Sequence, residues 1–104
     1  MKQGEIYLVN LDPVVGSEQA KTRPCVIIST DIVNDFSNTL TIAPLSSKIR
    51  DKPFPFHIKL DKESLIKVEQ LRTIDKKRIV KRIGNIDLET KNKIKKALAL
   101  YFDL

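Results

Sequence analysis

The stretch GSEQAKTRP at residues 16–24 leads directly into the apolar run CVIIS at residues 25–29. Residues 5–11, which precede it, are rich in Ile, Tyr, Leu and Val and end at an Asp-Pro pair, as is typical of a strand that closes in a turn. Pro24 has no N–H to donate, which suits the first residue of a strand, and it biases Arg23 towards extended backbone. The stretch therefore predicts a polar loop between two strands, the second of them buried.

Short strands dominate the chain as far as residue 86. The same pattern of β-branched and alternating apolar residues predicts further strands at residues 39–45, 56–60, 65–73 and 84–86. Residues 31–38 have a turn-like composition, and Asp75 is suited to cap a short helix over residues 76–82. Strands that follow one another along the chain in this way favour antiparallel pairing.

The chain ends in one amphipathic helix, which begins after Asp87, a residue suited to an N-cap. Its apolar residues recur at i, i+3, i+4 and i+7, so they form one stripe of Ile94, Ala97, Leu98 and Tyr101. Such a stripe predicts a helix that packs against the sheet. Five or so strands and one terminal helix predict an α+β, mostly β fold, built as a strongly curved antiparallel sheet or small barrel.

Length and composition narrow the class of protein. A chain of 104 residues forms one domain, residues 1–104, because a core of this size cannot be divided into two stable ones. The apolar runs are far shorter than the ~20 residues that cross a bilayer. The N-terminus has no apolar segment before a small-residue cleavage site, so we expect a cytoplasmic protein. With Cys25 as the only cysteine, we expect neither an internal disulfide nor a thiol-based zinc site.

The positive charge is concentrated near the C-terminus. The formal net charge is +6, and residues 76–104 carry nine Lys or Arg against three Asp or Glu, while residues 1–75 sum to zero. A basic surface favours polyanions, because binding them neutralises phosphates and releases counterions. Nucleic acid is therefore one reading of this charge, and the ordinary solvated face of a helix is the other.

Few residues of this chain are suited to familiar catalytic sites. Cys25 falls inside an apolar strand, where a thiol is normally an inert packing group. The single histidine, His57, lies on a predicted strand, where a hydrogen-bonded or partly buried imidazole is more common than a general base. The three glycines are too scattered to form a phosphate-binding loop, which excludes ATP chemistry of that kind. We expect neither a metal nor a cofactor.

The loop before Pro24 is the strongest candidate for chemistry. It brings together a hydroxyl, an acid, an amide and two cations, namely Ser17, Glu18, Gln19, Lys21 and Arg23. Cleavage of RNA by its own 2'-hydroxyl needs a base, an acid and cations directed at the charge that builds on phosphorus, and it needs no metal. Composition alone leaves an ordinary polar hairpin loop equally open.

Two further hydroxyls are candidates for the same site. Ser46 and Ser47 come at the end of the predicted strand over residues 39–45, and they would complete a phosphate site if that strand lies beside the one that follows Pro24. Arg23 is the best phosphate ligand of the set, because a guanidinium holds two phosphate oxygens at once.

Several blocks of the sequence together resemble the MazF/PemK toxins. They cover nearly the whole chain, in the family's order and approximate spacing: GEIY at 4–7, LDP at 11–13, GSEQ at 16–19, KTRP at 21–24, NDFSNT at 34–39, APLSS at 43–47 and EQLRTID at 69–75. The resemblance implies the toxin of a type II toxin-antitoxin system. It implies a homodimeric, SH3-like barrel of five to seven strands with a C-terminal helix.

The resemblance also implies an activity and partners. The activity is that of a metal-independent mRNA interferase, which cuts single-stranded RNA at short sequences, leaves a 2',3'-cyclic phosphate and a 5'-hydroxyl, and so inhibits translation and growth. The implied partner is a cognate antitoxin with an acidic disordered tail, which would lie in a cationic groove and exclude RNA.

The resemblance assigns roles to the candidate residues. Arg23 is the principal catalytic cation, and Ser46 stands where the family usually has Thr or Ser. Glu18 is a proton-transfer or positioning group, and Gln70 falls where the family contacts bases. The expected RNA-binding set is Ser17, Gln19, Lys21, Ser47 and Gln70, with Arg72 and Thr73 as structural supports.

Two other functions remain as alternatives. The same small barrel also serves toxins that trap DNA gyrase and cut no RNA, and a non-catalytic RNA-binding module would use the loop only to anchor phosphate. Arg23, Ser46 and the block at residues 69–75 favour the nuclease.

Overall fold

The computed structural model describes residues 1–12, 21–47 and 55–104. These ranges form two α-helices, seven strands and two single turns of 3-10 helix. The strands are β1 (Glu5–Asn10), β2 (Thr22–Ile27), β3 (Thr39–Ser46), β4 (His57–Lys59), β5 (Leu65–Lys67), β6 (Arg72–Asp75) and β7 (Ile79–Asn85), and the helices are α1 (Asp31–Phe36) and α2 (Leu88–Tyr101). The 3-10 turns are Val68–Gln70 and Lys76–Arg78.

The strands form one antiparallel sheet in the order β4-β5-β3-β2-β1-β7, and β6 pairs with β3 off this path. The seven antiparallel strands and the C-terminal helix confirm the predicted fold class. Within the described residues the sheet is not closed into a barrel, since β4 and β7 stand at the two ends of the pairing order. Strand β3 pairs with β2, β5 and β6 at different parts of its length and so joins the two ends of the sheet.

Apolar residues pack on both faces of the sheet. Alternate residues of a strand point to opposite faces, so β2 and β3 contribute to both layers. The layer under α2 contains Ile6, Val26, Ala43, Leu45, Ile58, Ile66, Val68, Ile86, Ile94 and Ala97. The opposite layer contains Val9, Leu11, Cys25, Ile27, Leu40, Ile42 and Ile74. Cys25 is a fully buried member of this second core, as a packing thiol should be.

The terminal helix agrees with its prediction. Asp87 caps it, since its carboxylate accepts a hydrogen bond of 2.8 Å from the N–H of Thr90. Ile94 and Ala97 are buried against the sheet, and Tyr101 is 46% exposed and forms a T-shaped ring contact with Phe56. No helix in the described ranges is long and apolar enough to cross a membrane.

The prediction was wrong for residues 76–82. Asp75 does cap there, accepting from the N–H of Lys77 at 2.8 Å, but only the single turn Lys76–Arg78 forms. The chain then continues as β7, which pairs with β1 from Ile79 to Asn85. Pairing with a distant strand outweighs the local helix preference of a Lys- and Arg-rich segment.

Three smaller boundaries also differ from the prediction. Residues 31–38 contain the short helix α1, where the buried Asn34 amide donates to the carbonyl of Ser29 at 2.9 Å. The predicted strand over 65–73 is divided by the Val68–Gln70 turn. Pro24 lies inside β2 and not at its start; it faces Leu8 of β1, and the pairing of β2 with β3 begins after it, at Cys25.

Candidate functional site

Arg23 and Ser46 lie on neighbouring strands. Strands β2 and β3 pair antiparallel, with Cys25 opposite Pro44. The same register continued by two residues sets Arg23 across from Ser46, because one strand advances as the other recedes. The sequence analysis required these two strands to be neighbours if the serines are to share a phosphate site with Arg23. The observed pairing meets that requirement.

Ser46 and Ser47 differ in accessibility. The side chain of Ser46 is only 4% exposed and pairs on its other side with Leu65 of β5. Ser47, the next residue, is exposed. Because one hydroxyl is buried and the other is exposed, the two are not equivalent ligands for one phosphate.

A second cation, Arg72, shares this region with Arg23. The charges of both guanidinium groups favour the ionised form of the Cys25 thiol and so act to lower its pKa. Burial outweighs them and raises the pKa of Cys25 to about 12. Arg72 also donates from Nη1 to the carbonyl of Leu11 at 2.7 Å, a contact that fits the expected role of a support. Cys25 is therefore a neutral packing group of the second core.

The two ends of the loop before Pro24 are hydrogen-bonded to each other. We call this contact, formed by Leu11, Asp12 and Lys21, the neck of the loop. The N–H of Leu11 donates to the carbonyl of Lys21 at 2.9 Å, and the N–H of Lys21 donates to the carboxylate of Asp12 at 2.8 Å. Lys21 has a φ of +66°, which its exposed side chain tolerates at a turn. The remaining predicted loop residues, Ser17, Glu18 and Gln19, lie outside the described residues.

Arg78 is a contributor to the neck that sequence reasoning missed. Its Nη1 donates to the carbonyl of Asn10 at 3.1 Å and also to the carbonyl of Asp12. These contacts join the Lys76–Arg78 turn to the end of β1. Its only signal in the sequence was membership of the basic C-terminal segment.

Gln70 lies at the end of the Val68–Gln70 turn, between β5 and β6, both of which pair with β3. Its side chain is half-buried. The preceding residue, Glu69, contacts His57 of β4, with 2.7 Å between Oε1 and Nε2. The imidazole is thus partly buried and paired, as the sequence favoured. Thr73 of β6 lies opposite Thr41 of β3, and their hydroxyls form a hydrogen bond of 3.1 Å.

One polar cluster at the N-terminal end of β1 was also missed. Glu5 accepts from the hydroxyl of Tyr7 at 3.2 Å and forms an ion pair with Arg82 at 2.9 Å. A hydrogen bond from the backbone of Lys2, aided by Arg82, lowers the pKa of Glu5. Tyr7 has a raised pKa, chiefly because burial disfavours the phenolate and also because Glu5 is close. The cluster ties β1 to β7 and holds no groups of the proposed site.

Metal ligands do not gather in the part of the chain that the structure describes. There, no three His, Cys, Asp or Glu side chains lie close enough together to hold an ion.

Comparison with known proteins gives one family. Residues 2–102 match the model of the PemK-like, MazF-like toxins of type II toxin-antitoxin systems. The chain is 38% identical over 107 residues to the endoribonuclease EndoA of Bacillus subtilis, with 96% of this chain and 92% of that protein covered.

Solved structures share the fold. MazF from Deinococcus radiodurans superposes with a TM-score of 0.84 at 19% identity, covering 100% of this chain and 97% of that one. An endoribonuclease from a mycobacterial species, in complex with its cognate antitoxin, gives a TM-score of 0.85 at 19% identity, covering 100% and 96%. At such identities the likeness establishes the architecture.

Proposed function

Because the chain belongs to the PemK-like, MazF-like toxins of type II toxin-antitoxin systems, we propose that it is an endoribonuclease that inhibits translation by cutting single-stranded RNA. The observation that supports this most directly is the pairing of β2 with β3, the strands that carry Arg23 and Ser46. A cation and a hydroxyl on adjacent strands suit a phosphate. The name of the relative from B. subtilis, an endoribonuclease, agrees with this activity.

The proposed reaction uses the substrate's own 2'-hydroxyl and no metal. The 2'-oxygen attacks the adjacent phosphorus, and the bond from phosphorus to the 5'-oxygen breaks. One proton leaves the 2'-hydroxyl and another reaches the departing 5'-oxygen. The products carry a 2',3'-cyclic phosphate and a 5'-hydroxyl, and negative charge builds on the non-bridging oxygens between these states.

In this proposal three residues have different catalytic roles. Arg23 stabilises the charge on the phosphorane, since a guanidinium remains protonated at neutral pH. Ser46 donates a hydrogen bond to the same phosphate. Glu18 transfers a proton or positions the reacting groups. The fixed backbone of β2 keeps the cation oriented before the substrate arrives, so little reorganisation opposes the reaction.

Other polar groups would hold the RNA on either side of the cut. These are Ser17, Gln19, Lys21, Ser47 and Gln70. Lys21 and Ser47 are exposed, and the turn that contains Gln70 contacts β3, the strand that carries Ser46. The net charge of +6 supplies a general attraction for the phosphate backbone.

We further propose a homodimer and a regulated toxin of the cytoplasm. Leu100, Tyr101, Phe102 and Leu104 are 46–91% exposed at the C-terminal end of α2, an apolar surface that a second copy would cover. A cognate antitoxin with an acidic tail would neutralise the cationic groove and exclude RNA. The structurally similar endoribonuclease from a mycobacterial species was solved in complex with its cognate antitoxin.

Incubation of the purified protein with a long single-stranded RNA in EDTA tests the activity. We expect cleavage at a small set of sequences, undiminished by the chelator. Absence of cleavage, or cleavage only after a divalent metal is restored, would contradict the proposal. A gyrase-dependent loss of DNA supercoiling without RNA cleavage would favour the alternative toxin class.

A further inference from the structure

The Val68–Gln70 turn is a short element that needs support from elsewhere. It consists of three residues, and no side chain caps its N-terminus at Lys67. A single 3-10 turn has few internal hydrogen bonds with which to hold its shape. Its last residue, Gln70, nevertheless carries the amide that is proposed to meet a base. The position and orientation of that amide therefore depend on the contacts that anchor the turn.

Hydrogen bonds to residues 56 and 57, at the start of the β4 segment, anchor the turn. The N–H of Val68 donates to the carbonyl of Phe56 at 2.9 Å, and the Val68 side chain is fully buried in the core. The next residue, Glu69, contacts His57 with 2.7 Å between Oε1 and Nε2. The first bond fixes where the turn begins, and the second fixes the residue just before Gln70.

The His57–Glu69 pair is shielded from water. Their side chains are only 12% and 20% exposed, respectively. The second carboxylate oxygen, Oε2 of Glu69, is buried and has no hydrogen-bond partner among the described residues. Loss of the imidazole would leave the whole carboxylate without a partner there, and a buried unpaired carboxylate moves towards water. That movement would displace the turn.

Gln70 itself forms no side-chain hydrogen bond to a described residue, although it is half-buried. With respect to the described part of the chain, both the donor and the acceptor of its amide are therefore free. This combination reads the edge of a nucleobase through paired hydrogen bonds, and such readout tolerates only small errors in orientation.

We infer that His57 and Glu69 are positioning residues: their contact holds the Val68–Gln70 turn so that the Gln70 amide meets one base of the bound RNA. The inference rests on the proposed function and assigns selectivity, not bond cleavage, to the pair. The imidazole acts through Glu69 and the backbone of the turn.

Sequencing the ends of RNA cut by variants of the full chain tests this inference. In His57→Ala we expect base preference at one position of the cut site to fall about fivefold or more, the effect of a weakened base contact. KM should rise while kcat stays within about twofold. His57→Gln, whose amide N–H reaches a similar point, should restore most of the preference. Ile94→Val, a core substitution in α2 that only destabilises, should leave the preference unchanged.

A second comparison separates positioning from general damage. In a Gln70→Ala background, His57→Ala should change base preference no further, because the side chain it positions is already gone. If the wild type cuts RNA and His57→Ala keeps the same base preference, the inference is wrong while the proposed function stands. A loss confined to kcat, an unrescued His57→Gln, or a further loss of preference in the Gln70→Ala background would overturn it in the same way. A wild type that cuts no RNA would overturn the proposed function and this inference with it.

Discussion

The buried thiol of Cys25 is subject to the charges of two arginines. Arg23 and Arg72 both favour the thiolate of Cys25, yet burial dominates and the pKa of that thiol rises to about 12. The thiol is therefore protonated at neutral pH and a poor nucleophile.

Cys25→Ala should reduce stability and spare activity. We expect the free energy of unfolding to fall by about 1 kcal/mol, since a small apolar group leaves the second core, and kcat to stay within about twofold of wild type. Denaturant titration and RNA cleavage measure the two effects. Native Cys25 should also resist alkylation at pH 8 and react once the chain is unfolded; fast alkylation of the folded protein would contradict the raised pKa.

Arg23→Ala should abolish most cleavage while the protein stays folded. We expect a loss of about 100-fold or more in kcat, as for removal of a group that stabilises transition-state charge. Ser46→Ala should cost less, about tenfold or more, because a neutral hydrogen bond is weaker than one from a cation. The matched control is Lys81→Ala, an exposed cation of β7. Equal losses in the two site variants would contradict this ranking of roles.

At the scale of elements, the glycine before β1 shows where backbone freedom matters. Gly4 has a φ of +89°. Its N–H donates to the carbonyl of Ile27 at 2.8 Å, and its carbonyl accepts from the N–H of Ile86 at 2.8 Å. It thus joins β2 to the segment before α2 through a conformation that L-residues disfavour. A side chain there would also overlap the end of the flexible Lys91 side chain.

Gly4→Ala should destabilise the protein by about 1–2 kcal/mol, because alanine resists a positive φ. The matched control is Gly84→Ala in β7, where an added Cβ has nothing within 4 Å. Thermal unfolding should show a clear drop in Tm for Gly4→Ala and none for Gly84→Ala. Similar Tm values for the two variants would argue against a role for the Gly4 backbone.

Because of the cap at Asp87, the stability of the protein should decrease as the pH falls into the acid range. Hydrogen bonds from Thr90, first its side chain and then its N–H, lower the pKa of Asp87 below 3.8 in the folded state. A lowered pKa means that the cap's contribution is complete above about pH 4–5 and is lost as the pH falls through the folded value. Asp87→Asn still accepts the Thr90 hydrogen bond but does not titrate.

Between pH 5 and pH 2.5 the Tm of wild type should therefore fall more steeply than that of Asp87→Asn, while the two stay close at pH 7. Glu5 contributes to the same acid trend in both proteins, since its pKa is also lowered. Parallel curves over this range would show that the Asp87 carboxylate adds nothing to the pH dependence.

Local signals predicted some elements and failed for others. The cap at Asp87 and the stripe through Ile94 and Ala97 lie within one helix, so spacing alone revealed them. Strand β7 depends on β1, about 70 residues earlier, and its Lys- and Arg-rich start looked helical. The break at Val68–Gln70 likewise depends on a bond to Phe56, which no pattern within residues 65–73 could show.

At the scale of the whole molecule, the candidate site was predicted only in part. Sequence blocks pointed to Arg23, Ser46 and Gln70 because each belongs to a recognisable motif, and their roles stay predictions. They could not identify Arg78, whose partners Asn10 and Asp12 are 66–68 residues away and follow from the path of the chain. Nor could they distinguish the buried Ser46 from the exposed Ser47, since that depends on the pairing with β5.

The chemistry of the cut ends tests the central claim most directly. Wild-type protein is incubated with a long single-stranded RNA in EDTA, and the products are treated with kinase, with or without prior opening of cyclic phosphate. We predict 5'-hydroxyl ends that accept phosphate, paired with 2',3'-cyclic phosphate ends, and their loss in Arg23→Ala. Ends bearing 5'-phosphate, or products that Arg23→Ala makes as fast as wild type, would contradict the account.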